Sequence, residues 1–232
     1  MIQNHLLLLH VCCRPCSSNV IKELCEHFQI TIYYSNSNIY PSDEYQRRFQ
    51  ELLHFIERFN QDFHQDIQVI EDPYNFSEWL SHMYPLKELP EGSIRCRLCY
   101  SLRMRRTFDY AKIHHYDYWT TVLSVSPHKN SQWINEIGDA WQSDSPKFLY
   151  ADFKKNNGYL KSTQMTKEYE MYRQNYCGCM FSYEEMLKRR KSKITSRFFI
   201  FLILYFYLYK MYVTFLLPNH SLVLGRTLHI IV

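Results

Sequence analysis

Five strand-length apolar runs, spaced by segments long enough for helices, constrain this chain more than any other feature. HLLLLHV (5–11) is continuous and apolar, and ITIYYS (30–35) is β-branched and aromatic; IQVIE (67–71), WTTVLSV (119–125) and KFLYADF (147–153) follow. After the first run, Ser17 or Ser18 can cap a helix whose inner face is Val20, Ile21, Leu24, Cys25 and Phe28. After the second, Ser42 can cap another, with Tyr45, Phe49, Leu52, Ile56 and Phe59 on its apolar face. Further helical patterns lie at 94–113 and 131–142. Alternating strands and helices predict an α/β fold, a three-layer domain with a parallel sheet covered on both faces and right-handed crossovers. No internal repeat is present.

Such sheets bind ligands beyond the carboxyl ends of their strands. On that rim the order of elements places Cys12 and Cys13 after strand one, Asn36 and Asn38 after strand two, and SVSPHKN (124–130) after strand four.

A chain of 232 residues suits one medium domain with an appendage, here residues 1–185 followed by 186–232. The net charge of +4 is uneven: residues 182–232 hold eight Lys or Arg and two Glu, so the rest is slightly acidic. Nucleic-acid contact would therefore need a local basic patch. The 20 Tyr and 15 Phe can fill a core or stack on bases. MIQNHLLLLHVCC has no basic n-region or small-residue cleavage site, which predicts a cytoplasmic body. Eight cysteines in that setting point to metal or redox chemistry before structural cross-linking.

Six of those cysteines carry the argument. Cys12 and Cys13 are adjacent, with Cα atoms about 3.8 Å apart, closer than the roughly 4.4 Å minimum of an unstrained disulfide. Two thiolates directed at a metal explain the pair better than a bond between them, with packed thiols the alternative. Cys96 and Cys99, spaced C-x-x-C at a helix start, share one face; the helix dipole and Arg95, Arg97 and Arg103 favour their thiolates. The four can hold zinc or an iron–sulfur cluster, and the adjacent pair is awkward for closing one tetrahedron, which favours the cluster. Cys177 and Cys179, as Cys-Gly-Cys, can form a small exchangeable disulfide that stores two electrons, or else ligate metal. Cys25 reads as packing and Cys16 as a substitute ligand.

LLLHVCCRPCSS, NSNIYPSDEYQRR, RCRLCYSLR, TTVLSVSPHKN, DFKKNNGY and EYEMYRQNYCGCMFS occur in this order, and together they resemble the QueH family of epoxyqueuosine reductases over about residues 5–182. The resemblance implies reduction of the epoxide of epoxyqueuosine, at the wobble position of tRNA, in the last step of queuosine synthesis without cobalamin. It implies that Cys12, Cys13, Cys96 and Cys99 ligate a [4Fe-4S] cluster, that Cys177 and Cys179 form a redox-active disulfide, and that the fold is similar to nucleotide-hydrolase-like α/β domains. An electron donor, unidentified from the sequence, is also implied.

Given an RNA substrate, the five Arg of RCRLCYSLRMRR and the three Lys of KKNNGYLK are candidates for anticodon-loop phosphates. Tyr40, Asp43, Glu44, Arg47 and His128 belong to the same motifs, and His128 is the choice to protonate the opened epoxide oxygen because its ordinary pKa suits the task. Two other readings are a zinc-stabilised RNA-binding module and a tRNA sulfur-insertion enzyme of related fold. The second expects a glycine-rich phosphate loop after strand one, where this chain reads CCRPCSS. Beyond the motifs, KRRKSKITSR leads into FFIFLILYFYLYKMYVTFLL (198–217), long enough to span a bilayer with a basic flank that keeps the body cytoplasmic. An extension without a selected role is the alternative.

Overall fold

The computed structural model describes residues 5–141 and 143–216, apart from the side chains of Arg14, Cys16, Thr214 and Leu216. Two units divide the chain, 1–183 and 184–232. The first is an α/β domain around a five-stranded, wholly parallel sheet in the order β3-β2-β1-β4-β5. Its strands are β1 (Leu6–His10), β2 (Gln29–Tyr34), β3 (Gln68–Glu71), β4 (Tyr118–Thr121) and β5 (Lys147–Phe148). Its helices are α1 (Arg14–Leu24), α2 (Ser42–Phe63), α3 (Phe76–Met83), α4 (Ile94–Ile113), α5 (Ser131–Asp139) and α6 (Gly158–Glu168). A long helix, α7 (Met180–Leu216), begins at the end of the first unit and makes up the described part of the second.

β1 runs through four consecutive leucines to His10 because it is the central strand, covered on both faces. Leu7, Leu8 and Leu9 are fully buried, each contributing roughly 1.5–3 kcal/mol. Right-handed crossovers put α1 and α2 on one face and α4 and α5 on the other. Contacts of α1 with α2 and α6, and of α4 with α5, agree with that arrangement. The strand order reverses between β1 and β4, and at this switch point the carboxyl ends open a crevice.

Several boundaries differ from the sequence reading. Strand four stops at Thr121, because the Thr121 hydroxyl accepts the Leu123 N–H (3.2 Å) and closes a 3₁₀ turn over Val122–Val125. The fifth strand keeps two residues; beyond it Asn135 captures both the N–H and the C=O of Ala151, drawing the chain off the sheet. α1 starts at Arg14, ahead of Ser17 and Ser18, with Pro15 in its first turn and Cys13 at the cap position. Ser42 is the first residue of α2, and Pro41 occupies the cap. Two helices have no counterpart in the sequence reading. α3 buries only Trp79 and Met83, too narrow a stripe to stand out, and is started by Asn75, which accepts the Glu78 N–H (3.1 Å). α6 is rich in Lys, Thr and Ser and buries Met165 among mostly small residues.

Candidate functional site

The crevice at the switch point is lined by sulfur. Cys12 and Cys13 leave the end of β1 buried, with their Sγ atoms 3.7 Å apart and unbonded. Cys96 and Cys99 sit half-buried on the first turns of α4. Cys177 and Cys179 precede and follow Gly178, whose φ of +127° is a conformation side chains rarely adopt. Cys179 and Cys99 border the same small apolar cluster of Trp79, Met83 and Phe181, so α3 helps to bring the second and third thiol groups together. Among the described residues, none of these six cysteines is joined in a disulfide.

Arg103 joins the three groups. It lies one turn beyond Cys99 on the stripe that runs Cys96, Cys99, Arg103 at i, i+3, i+7, which places all three on one helix face. Its guanidinium lies within electrostatic reach of Cys99, Cys12 and Cys177. Neutral groups fix it: Asn36 Oδ1 accepts at 2.5 Å and the Ser35 carbonyl at 3.4 Å. Asn36 is itself anchored through its amide to the Val11 carbonyl (2.8 Å). Behind Arg103, the fully buried His10 touches Thr121 Oγ1 (2.7 Å) and the Ser35 carbonyl (3.1 Å). Burial, reinforced by Arg103, lowers the His10 pKa to about 3, so the ring is neutral at pH 7.

Burial also raises the thiols. Cys96 is pushed up to about 11, although the Gly92 N–H donates to its sulfur (3.2 Å). Cys99 shifts the same way. Burial and the neighbouring Cys177 push Cys179 up to about 12 against donation from Ser182. Left to themselves these sulfurs are protonated at neutral pH; a bound cation reverses that preference.

The donor set fits an iron–sulfur group. Gln174 donates to Cys13 (3.1 Å) through an amide whose buried oxygen lacks a partner. The buried Trp79 indole N–H meets no acceptor at bonding geometry and lies beside Cys99, whose charged form it favours. N–H groups gathered on thiol sulfurs are the arrangement that tunes such clusters. Among the described residues, no three His, Cys, Asp or Glu side chains are close enough to share a single ion.

Next to the thiols, a cavity of about 210 Å³ opens beyond β2, walled by Ser35, Ser37, Trp79, Leu102, Arg103 and Arg106. Its floor is held by Asp72, a buried carboxylate that accepts from Tyr33 (2.7 Å), Ser35 (2.7 Å) and Arg106. Arg103 is thus shared between the sulfurs and this space.

Comparison with known proteins decides the family. The family model described as "Epoxyqueuosine reductase QueH" matches residues 7–185. The chain belongs to the epoxyqueuosine reductase QueH family. Epoxyqueuosine reductase QueH of Streptococcus pyogenes serotype M1 is 43% identical over 177 residues, 76% of this chain and 69% of the relative. The Acinetobacter baylyi protein of the same name is 32% identical over 82% of this chain and 86% of its own. That of Thermotoga maritima is 31% identical over 80% and 92%.

In this QueH family member, several residues singled out from the sequence are exposed or already engaged. His128 is exposed beyond the 3₁₀ turn, its ring without a hydrogen bond among the described residues. Glu44 holds the buried Arg48 (2.7 Å) and the Tyr172 hydroxyl, Arg47 stacks on Tyr172 (3.6 Å), Tyr40 packs against Phe76 and Tyr183, and Asp43 is exposed. The arginine run does not present five free cations. Arg95 and Arg103 are buried, while Arg97, Arg105 and Arg106 pair with Glu136, Asp109 and Asp72. Cys25 is half-buried and bonds the Lys22 carbonyl, as expected of packing; the Cys16 side chain lies outside the described residues. His10, Gln174 and Trp79 escaped the sequence reading. His10 sits in an apolar strand, Trp79 in a segment without a chemical motif, and Gln174 inside EYEMYRQNYCGCMFS, where the cysteines alone marked chemistry; only the i+4 spacing of Arg103 from Cys99 was a legible signal.

Proposed function

We propose that this chain is an epoxyqueuosine reductase, converting the epoxide of epoxyqueuosine in the wobble position of tRNA to the cyclopentene of queuosine. What carries the reading is a buried arginine within electrostatic reach of Cys12, Cys99 and Cys177, in a chain of the QueH family. Epoxide plus two electrons and two protons gives alkene plus water, so the site must deliver both electrons and receive the oxygen.

Cys12, Cys13, Cys96 and Cys99 would hold a [4Fe-4S] cluster. Such a group, when bound, supplies one-electron transfer and a Lewis-acidic position for the epoxide oxygen. Cys177 and Cys179 pass the reducing equivalents, a dithiol yielding two electrons as it closes to a disulfide. An external donor then reopens it. His128, exposed at the rim, gives a proton to the departing oxygen. The cavity bordered by Arg103 and Trp79 receives the modified base, and Lys155, exposed before α6, meets the anticodon-loop phosphates. α1 opens on Cys13, Arg14 and Pro15 without glycine, which supports a reductase over a sulfur-inserting, ATP-using relative.

The test is to incubate anaerobically reconstituted, reduced protein with tRNA carrying epoxyqueuosine and follow the nucleoside by mass. Loss of one oxygen supports the reading, and unchanged epoxyqueuosine defeats it. Iron and sulfide analysis with a visible spectrum separates the cluster from zinc.

The second unit adds a membrane to this reading. Apolar side chains at consecutive positions from Phe198 to Phe201 and from Ile203 to Tyr209 are more than half exposed, so the apolar surface runs right round the helix. Twenty helical residues span about 30 Å, the hydrocarbon thickness of a bilayer. Arg189, Arg190, Lys191, Lys193 and Arg197 precede them on the side that would face anionic headgroups.

A further inference from the structure

We propose that Arg103 is the internal counter-cation of the thiol site, a positioning residue whose fixed charge offsets that of the surrounding sulfurs and makes the site easier to reduce. This rests on the reading that the site holds an iron–sulfur cluster.

Arg103 is 4% exposed, and burying an unpaired guanidinium costs several kcal/mol. Among the described residues, however, no carboxylate forms an ion pair with it. The nearby Asp72 is committed to Arg106, Ser35 and Tyr33. The groups that hold Arg103, Asn36 Oδ1 and the Ser35 carbonyl, orient it without cancelling its charge. His10, 3.5 Å away, carries no negative charge in either protonation state and cannot cancel it. What remains to balance the cation is sulfur: Cys99, one turn earlier on the same helix face, with Cys12 and Cys177 also within electrostatic reach.

The other buried arginines provide the contrast. Arg48 lies near a thiol, Cys13, but Glu44 neutralises it at 2.7 Å. Arg95 donates to the Lys87 carbonyl (2.8 Å), packs on the Phe181 ring and acts on Cys96. Arg103 is the uncompensated positive charge within reach of Cys12, Cys99 and Cys177 together, and a fixed cation beside an electron acceptor favours its reduced, more negative form. Rigid placement matters as much as sign. The guanidinium's planar fork stays within electrostatic reach of Cys99 while bonding Asn36, a combination that a lysine ammonium reproduces in charge but not in shape.

The experiment is a redox titration of the anaerobically reconstituted full chain, comparing the native sequence with R103M, R103K and N36D. Circular dichroism and thermal unfolding confirm that each variant is folded. At a fixed applied potential, R103M is expected to move the oxidised-to-reduced ratio about tenfold toward oxidised, about 59 mV for a one-electron couple. R103K should stay within roughly threefold of native, because it keeps the charge. N36D places a carboxylate against an otherwise intact Arg103, at the loss of the bond to the Val11 carbonyl, and should shift the ratio in the same direction as R103M. A merely structural arginine would leave R103M at the native potential; the N36D carboxylate adds a negative charge of its own, so its shift counts only beside that of an arginine variant. Native potential in folded R103M overturns the proposal; should R103M not fold, the neutral R103Q is read in its place, with the same two outcomes. If the native chain forms no coloured cluster, the underlying functional reading fails instead, which is a separate outcome.

Discussion

Cys177 has a neighbour on each side of its chemistry: Cys179 two residues on, and the α4 cysteines within electrostatic reach. That position suits a relay. Replacing it should interrupt the supply of electrons without removing the cluster ligands, so C177S should keep the brown absorbance and complete no more than a first turnover. Normal multiple turnover would remove the redox role. A cluster ligand behaves differently: C99S should lose most of the visible absorbance and bound iron after reconstitution, as measured by spectrum and iron content.

Asp72 supports the same rim by a separate route. Burial alone would raise its pKa, but hydrogen bonds from Arg106, Ser35 and Tyr33 outweigh that and hold the carboxyl below its usual range. Near pH 4 the unfolded chain then binds more protons at this position than the folded one. The stabilisation is thus present above an unfolded pKa of about 3.9 and disappears as pH falls through the lower folded value. Asp72→Asn should cost about 1.5–3 kcal/mol at pH 7 in urea unfolding, with the gap to the native chain narrowing below about pH 4. A gap that does not change with pH would show that the carboxylate's charge contributes nothing.

At the scale of elements, the strands were legible where covering on both faces demanded unbroken apolar runs, as in Leu7–Leu9 and Ile30–Tyr34. α4 was legible to the residue because 94–113 combines a C-x-x-C start with a full helical stripe. Strand ends were not, since local side-chain bonds set them: Thr121 turns β4 into a 3₁₀ helix, and Asn135 detaches the chain after β5. α3 was hidden because its two buried residues carry no periodicity, yet its Trp79 reaches Cys99. The thiols themselves could be read from spacing; Gln174 and His10 could not, because their roles arise from tertiary neighbours 161 and 111 residues away. Packing between α5 and β5 is tight enough to test. A Cβ at Gly138 would fall 2.3 Å from the Phe148 ring, so G138A should destabilise the domain by about 1–3 kcal/mol in urea unfolding. No change would mean that Phe148 yields freely.

Across the whole molecule, the α/β domain carries the three thiol groups, and the second unit adds a helix that is apolar on every side from Phe198 to Tyr209. A stretch of that kind has no polar face to turn toward water, which supports the proposed membrane anchor. Membrane and soluble fractions of cells expressing the chain with and without residues 190–232 should differ, the full chain sedimenting with membranes and the shortened one staying soluble. Equal distribution would leave the tail as an extension without an anchoring role.

The account stands or falls on the thiol crevice removing an oxygen atom from a modified base. Its most direct measurement is single-turnover conversion by reduced, reconstituted protein without added donor, read as the mass of the wobble nucleoside beside a C12S control. Queuosine formed in proportion to the native protein, and none with C12S, is the predicted result; epoxyqueuosine recovered unchanged from the native protein, or equal conversion by C12S, would contradict it.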